Sequence, residues 1–442
     1  MVFKRSPRGS AVLLLSAVFI TLGIVGSLQS ELPFLFLGVG LLIYYYVSKL
    51  VLELKISAVN RLQVARDHPA RIDEEQKIDV TVSMINSTFL RIGTEVFDSY
   101  PSFCRLSSGT NVAVVNIPAK GFSKLSYTLS TTSVGVQQFG PLRLLVRDIA
   151  GLFFYERDID VQSSVEVTPK GDVIPRGALA GLALSTYGGA VTSRRKGEGF
   201  DFADIRKYQV GDPYKRIEWS STARSRQLMV RETSLETQLN VMVALDITET
   251  MAYGEAGQTK LDYSARAVAS LARYLATRGD SMGLTLMGGT GFTQVIPLTR
   301  GRGQVTMILR TLSGLTFAPN DPRAVDFAVR RAIAFGSIKG RALFLIITDL
   351  DSDVDLTPLK QLLAMKHEVI LISPYTPLFE AHGLVGLDRD LYAVNTAYQR
   401  IARRKLLKEA SKIGVRVFDV GPKDLFPKLI ARVEDLRRMG GS

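Results

Sequence analysis

The chain has 442 residues, of which 46% are hydrophobic and 22% charged, and 55 basic against 42 acidic residues leave a net charge of +13. That length has room for two or three domains, each with its own core, and the composition is that of a globular protein with membrane segments. The lone cysteine, Cys104, excludes an intrachain disulfide framework and agrees with a reducing compartment. The basic excess suits nucleic acid, anionic lipid or an acidic protein partner. No compact Lys/Arg tract interleaved with aromatics marks a nucleic-acid groove, and a cytoplasmic domain beside an anionic leaflet is commonly basic.

From Ser10 to Leu28 the chain is apolar and uncharged, and a second apolar run goes from Leu32 to Val47. Each is near the ~20 residues needed to span a bilayer core. The pattern predicts a membrane hairpin over residues 1–54, with helices at about 10–28 and 32–50. A cleaved signal peptide explains the first run but not the second. Pro33 stands where a helix tolerates its missing N–H, and Tyr44, Tyr45 and Tyr46 fit an interfacial belt. Lys4, Arg5 and Arg8 precede the first run, Lys49, Lys55 and Arg61 follow the second, and the connection carries only Glu31. The positive-inside rule therefore places both termini and the soluble domains in the cytoplasm of a multi-pass cell-membrane protein. The competing reading is a buried helical hairpin of a soluble domain.

Residues 55–175 lack a helical period. Short alternating runs, such as Lys77–Met84, Val112–Ile117, Lys124–Leu129 and Leu142–Arg147, are separated by turn residues and predict an antiparallel β-sandwich. No metal or nucleophile cluster shows there, so the region reads as a spacer or docking domain. Asp98, Tyr100 and Pro101 read as turn residues. Asn86-Ser-Thr88 matches a glycosylation sequon, which has no meaning in the cytoplasm.

Residues 176–238 contain the densest mixture of glycine, charge and turn chemistry, from Gly197 to Arg224, including the only tryptophan, Trp219. One reading is structural: Asp212, Arg216, Glu218 and Arg224 form ion pairs that hold an irregular collar, with Trp219 buried as its anchor. The other makes these loops a docking surface, where Arg194, Arg195 and Lys196 meet an acidic partner.

Residues 239–442 alternate strand-like runs (Leu239–Ile247, Met282–Met287, Phe292–Leu298, Ala342–Thr348, Val369–Ser373, Val415–Val420) with helical ones (Tyr263–Arg278, Gln304–Leu312, Ala324–Phe335, Leu359–Lys366, Asn395–Ile413). A last amphipathic helix falls around Leu425–Arg437. Continuous apolar strands are covered on both faces, so the fold class is α/β with a doubly wound parallel sheet and a ligand site beyond its carboxyl ends. Asp246, Thr248 and Thr250 follow the first strand and Asp349 follows the fourth. One carboxylate with hydroxyls and water makes a hard, oxygen-only site suited to Mg2+ or Mn2+. Few anionic ligands leave such an ion able to accept a partner's carboxylate. Alternatively, Asp246 caps the next helix and the threonines form turns.

Asp246-x-Thr248-x-Thr250 resembles the Asp-x-Ser-x-Ser motif of von Willebrand factor A domains, with both serines replaced by threonine and Glu249 between the ligands. Asp349, after Thr348, resembles their later aspartate, and Thr316 is the counterpart of their intervening threonine. The collar is similar to the signature of the domain-of-unknown-function 58 family: Gly197 and Gly199, Asp201 and Phe202, Arg206 and Tyr208, Gly211 and Asp212, Arg216, Ile217 and Trp219, then Thr222, Ala223 and Arg224. Asp201 stands where that family commonly has Glu. Phe139-Gly-Pro141, Asp148-Ile-Ala-Gly-Leu-Phe153 (with Ile149 for Pro) and Gly279-Asp-Ser-Met-Gly-Leu284 extend the resemblance over about residues 10–420.

The resemblance implies a membrane-anchored interaction protein, not an enzyme, whose metal-ion-dependent adhesion site binds a partner. The implied partner is a MoxR-type AAA+ ATPase, in a chaperone-like assembly or activation system. A metal-dependent hydrolase is the first alternative. His68, His367 and His382 lack ligand spacing, however, and no nucleophile elbow, Cys/His dyad or P-loop is present. The second alternative, an extracellular adhesin of opposite topology, is opposed by the lone cysteine and the charge flanks.

Overall fold

The computed structural model describes all residues except 1–3, 28–32, 149, 172–195, 235–237, 351–354, 381–385, 423–424 and 439–442. The chain divides into two compact units, Met1–Val167 and Thr168–Ser442.

The first unit starts with a short strand, β1 (Lys4–Arg5), followed by α1 (Pro7–Ser27) and α2 (Pro33–Asn60). Both helices are long and apolar enough to cross a membrane. They pack closely because small residues line the contact: a Cβ on Gly38 would lie 2.7 Å from the Ile20 backbone nitrogen. Phe19 and Phe34 stack at 6.3 Å. The second helix does not stop near residue 50, nor at the expected domain boundary at 54/55, but runs on to Asn60. Leu52, Ile56 and Val59 recur on one helical face and are buried in the β core, so protein packing holds this last stretch.

The β region comprises β2 (Gln63–Asp67), β3 (Arg71–Asp73), β4 (Lys77–Ile85), β5 (Ile92–Asp98), β6 (Cys104–Gly109), β7 (Val112–Ile117), β8 (Phe122–Thr131), β9 (Gly135–Gln138), β10 (Leu142–Arg147), β11 (Phe153–Ile159) and β12 (Ser164–Thr168). They form sheets in the orders β1-β11-β10-β5-β7, β2-β4-β8-β6 and β3-β12-β9. Pairing in the two larger sheets is antiparallel. The period-2 pattern turns Ile78, Val80, Val82 and Met84 of β4 into a common core with Val96, Leu142 and Leu144.

Asp98 is not a turn residue. It ends β5 fully buried and holds the carboxylate to which Arg66 Nε donates at 3.1 Å and Tyr127 Oη at 2.6 Å. Arg66 also donates to the Val161 and Gly140 carbonyls at 2.8 and 3.0 Å and lies 4.8 Å over the Phe139 ring. Burial, then the Asp98 carboxylate, pushes the Tyr127 phenol up, so it stays a donor at any physiological pH.

The second unit opens with an antiparallel ribbon, β13 (Lys196–Lys207) and β14 (Met229–Ser234), with the short helix α3 (Trp219–Ser225) between them. Then come β15 (Asn240–Asp246), α4 (Lys260–Thr277), β16 (Ser281–Met287), β17 (Val295–Thr299), α5 (Arg302–Ser313), α6 (Ala324–Phe335), β18 (Leu343–Ile347), α7 (Thr357–Ala364), β19 (Glu368–Pro374), α8 (Thr376–Glu380), α9 (Leu387–Asn395), α10 (Ala397–Ile413), β20 (Arg416–Val420) and α11 (Leu425–Arg438). The sheet order is β17-β16-β15-β18-β19-β20.

All pairings in this sheet are parallel except β16–β17, which is antiparallel. The buried strands β15 and β18 match the continuous apolar runs. The helix expected over Asn395–Ile413 is present as α10, and a separate helix, α9, precedes it and ends at Asn395. The helix expected from Tyr263 starts earlier, at Lys260, because Thr259 and Asp262 form a reciprocal capping box. Chain order reverses direction between β15 and β18, the kind of switch point beyond whose carboxyl ends doubly wound sheets bind ligands.

Candidate ligand site at the strand switch point

Leu245 of β15 lies level with Ile347 of β18, so the residues that follow both strands leave the sheet side by side. These are Asp246, and Thr348 with Asp349. Asp246 Oδ1 accepts from the Thr248 N–H at 2.9 Å and from Thr248 Oγ1 at 2.7 Å. Its Oδ2 accepts from Thr348 Oγ1 at 2.6 Å. Thr248 Oγ1 lies 3.0 Å from Thr250 Oγ1. The single Thr248 proton is used on Asp246, so Thr250 is the donor of that last bond. Burial pushes the Asp246 carboxyl up to about 6, the bonds from Thr348 and Thr248 pull it back, and the nearby Asp349 charge adds to the rise. No cationic side chain pairs with Asp246 among the described residues.

Asp349 is provided with its own cation. Lys260, the first residue of α4, is fully buried and places Nζ 2.8 Å from Asp349 Oδ2, with Thr376 Oγ1 at 2.7 Å and the Tyr253 ring centroid at 5.2 Å. The Asp349 carbonyl accepts from Ser373 Oγ at 2.9 Å and from Arg403 Nη1 at 2.6 Å. Arg403 is held in turn by Asp419, whose Oδ1 accepts from Nη2 at 2.6 Å. The following residue, Leu350, has φ +57, a left-handed turn uncommon for a branched side chain, so the chain leaves β18 sharply.

Thr316 is exposed. Its segment runs beside the β15 loop through Ala318, whose N–H donates to the Ile247 carbonyl at 2.8 Å and whose carbonyl accepts from Glu249 N–H at 3.0 Å. The structure therefore gathers Asp246, Thr248, Thr250 and Thr348 into one hydrogen-bonded cluster, ties Asp349 to Lys260, and leaves Thr316 at the surface.

Sequence reasoning missed Lys260, Thr376 and Arg403. A signal for Lys260 was present: a lysine at the first position of a capped helix sits at the positive end of the helix dipole, which it does not favour without an external carboxylate.

In the collar, Arg206 makes a two-pronged pair with Asp212, both bonds 2.7 Å, and Gln209 N–H reaches Asp212 Oδ2 at 2.8 Å. Gly211, at φ +108, closes that turn in a conformation that favours glycine. Of the residues expected in the collar's ion pairs, Asp212 pairs with Arg206 and Glu218 with Arg231, while Arg224 is exposed. Trp219 is not the buried anchor either. It is 67% exposed at the start of α3, and Ile217, bridged to Val230, is buried instead.

Thr222 Oγ1 accepts from Met229 N–H at 3.0 Å, and Tyr208 stacks on Tyr214 at 6.1 Å. Asp201 and Phe202 pair in the ribbon with Ser234 and Thr233, and Gly197 and Gly199 lie in the same strand. Arg194 and Arg195 fall outside the described residues, as does the side chain of Lys196.

Arg206, then the Gln209 N–H, lowers the Asp212 carboxyl to about 2. Its folded-state value lies below the ordinary value, so the ionised form stabilises the fold above pH about 4 and that contribution is lost as pH falls through about 2. Asp212→Asn is expected to melt below the wild type at neutral pH, with the gap closing as the pH drops through this window. A gap that persists unchanged at the acid end contradicts the assignment.

Residues 204–388 match the model of the family described as "Protein of unknown function DUF58". An uncharacterized protein of Mycobacterium tuberculosis strain H37Rv, and another of Mycobacterium bovis, are 28% identical over 182 residues, 41% of this chain. The match spans 56% of the length of these curated relatives. Among solved structures, an aerotolerance-related membrane protein from Bacteroides fragilis aligns at 22% identity and a TM-score of 0.24, over 30% of this chain and 67% of its own. The conserved hypothetical protein BatB from Bacteroides thetaiotaomicron aligns at 18% identity and a TM-score of 0.31, over 46% of this chain and all of its own. Residues 204–388, less than half of the chain, are thus similar to the DUF58 family.

Proposed function

We infer that the protein is a membrane-anchored interaction module. In this reading α1 and α2 cross the bilayer, both soluble units face the cytoplasm, and the α/β unit works as a von Willebrand factor A-like domain. It acts by binding a partner, not by turnover.

The observation that carries the reading is the Asp246 carboxylate: buried, bonded on both oxygens, pushed up to about 6 and without a cationic partner among the described residues. A divalent cation fits that donor set, because it would relieve a buried negative charge with oxygen ligands only. Asp246, Thr248 and Thr250 would hold it, with Asp349, already neutralised by Lys260, contributing at longer range. When bound, Mg2+ or Mn2+ supplies an electrophilic centre for a partner's carboxylate. The family resemblance points to a MoxR-type AAA+ ATPase as that partner.

Affinity purification of the full chain from membranes tests this. The wild type should retain an AAA+ ATPase, identified by mass spectrometry, and lose it on chelation or on Asp246→Ala, with thermal melts showing the fold intact. Retention through both treatments overturns the reading.

A further inference from the structure

One end of the β-sandwich carries apolar side chains that nothing in the first unit covers. β4 ends at Ile85, level with Phe122, the first residue of β8. β5 starts at Ile92, opposite Ile117, the last residue of β7. The connectors 86–91 and 118–121 therefore emerge together. Leu145 of β10 is level with Glu95 of β5, which puts Ile92 beside the turn that follows β10.

That turn is where the apolar helices join the sandwich. The Leu152 carbonyl accepts from Ser6 N–H at 2.9 Å, the Gly151 carbonyl accepts from Ser6 Oγ at 2.6 Å, and the Phe153 ring lies 4.9 Å from Tyr45 of α2. Neighbouring strands are about 4.8 Å apart, so Ile92 and Ile117, where the connectors meet this sheet, lie within roughly 10 Å of that junction.

At the connectors Phe89 is 80% exposed and Phe122 64%, with Ile85 and Leu90 exposed beside them. Lys120 Nζ lies 4.0 Å over the Phe89 ring and Lys124 Nζ 5.9 Å from the Phe122 ring. A ring that points outward with an ammonium beside it suits the boundary between acyl chains and headgroups. There the ring leaves water and the cation meets lipid phosphate. Continuity with the helix junction selects the bilayer surface over a soluble partner.

We propose that Phe89, Leu90 and Phe122 insert into the headgroup boundary of the bilayer that α1 and α2 cross, with Lys120 and Lys124 on anionic headgroups. The membrane contact thus extends from the helices to the rim of the sandwich. The proposal rests on the reading that the helices span.

The test uses the full chain in vesicles of phosphatidylcholine and phosphatidylglycerol with brominated acyl chains. Trp219→Phe removes the sole tryptophan, an exposed one, and Phe89→Trp adds a reporter at a site too exposed to disturb packing. Phe36→Trp, in α2 and 71% exposed, is the control. The Phe89→Trp emission is expected to shift to the blue and to lose most of its intensity to bromine. The loss should be greater than in pure phosphatidylcholine, and the excess should vanish in Lys120→Glu with Lys124→Glu. Quenching at position 36 but not at 89 overturns the proposal and leaves the spanning helices standing. Quenching at neither overturns both. An unchanged excess in the double variant overturns the role of the lysines.

Discussion

Lys260→Met is expected to destabilise the second unit by about 3–5 kcal/mol, the cost typical of removing one partner from a buried ion pair. The Lys260 and Asp349 side chains are 0% and 1% exposed and 2.8 Å apart, so the change strands a carboxylate where water cannot reach it. Asp349→Asn should cost less, because the amide oxygen can still accept from the Lys260 ammonium, which also donates to Thr376 Oγ1. The double variant, Lys260→Met with Asp349→Asn, should recover most of the loss, since two neutral side chains of similar volume replace the pair. Urea melts of the four proteins give the coupling energy directly. A coupling near zero would show that the pair is solvated and that Lys260 does not define the site.

The same cycle bears on ligand binding. In the wild type Lys260 is the cation that Asp349 already has. Lys260→Met leaves Asp349 needing another, and Mg2+ should then restore part of the lost stability.

What the sequence revealed depended on how local the determinant was. Asp246 and Thr248 were legible because alternate residues in a loop leaving a strand present their oxygens together, and the bonds between them are two positions apart. The β18 run Leu343–Ile347 was legible because a strand covered on both faces has no polar face to interrupt it. Lys260 was not, because its partner lies 89 positions away and only the topology of the sheet brings the two together.

Asp98 resembles a turn residue in the sequence for the same reason. Its composition neighbours are Ser99, Tyr100 and Pro101, but its energetic neighbours are Arg66 and Tyr127. Hydropathy extended the apolar pattern of α2 without distinguishing lipid from protein, so the burial of Leu52, Ile56 and Val59 in the sandwich core was invisible. The size of Trp219 suggests an anchor. A large ring is an anchor only if the helix phase turns it inward, and at the first position of α3 it faces solvent.

Asp246→Asn is expected to make the metal-free protein more stable at neutral pH, by up to about 3 kcal/mol, while abolishing partner capture. Burial raises the Asp246 carboxyl from 3.8 to about 6, and each unit is worth about 1.4 kcal/mol. A carboxyl raised in the folded state favours folding while protonated. Its contribution is full below pH about 4 and is lost as pH rises through about 6.

The wild type without divalent ions should therefore weaken across that window, and the asparagine variant should not. Asparagine keeps the geometry: its Oδ1 still accepts from Thr248, and its amide can donate to the Thr348 hydroxyl, which rotates to accept. Adding Mg2+ should reverse the ranking by stabilising only the wild type, because the cation binds the folded anion and not the amide. Urea melts at acid and neutral pH, with and without chelator, measure all of this. An asparagine variant weaker than the wild type in chelator would mean that the hydroxyls and the Thr248 N–H already satisfy the anion, and that the cluster is a structural turn. The opposite ranking, together with lost partner capture, is the signature of a carboxylate kept for binding at the expense of stability.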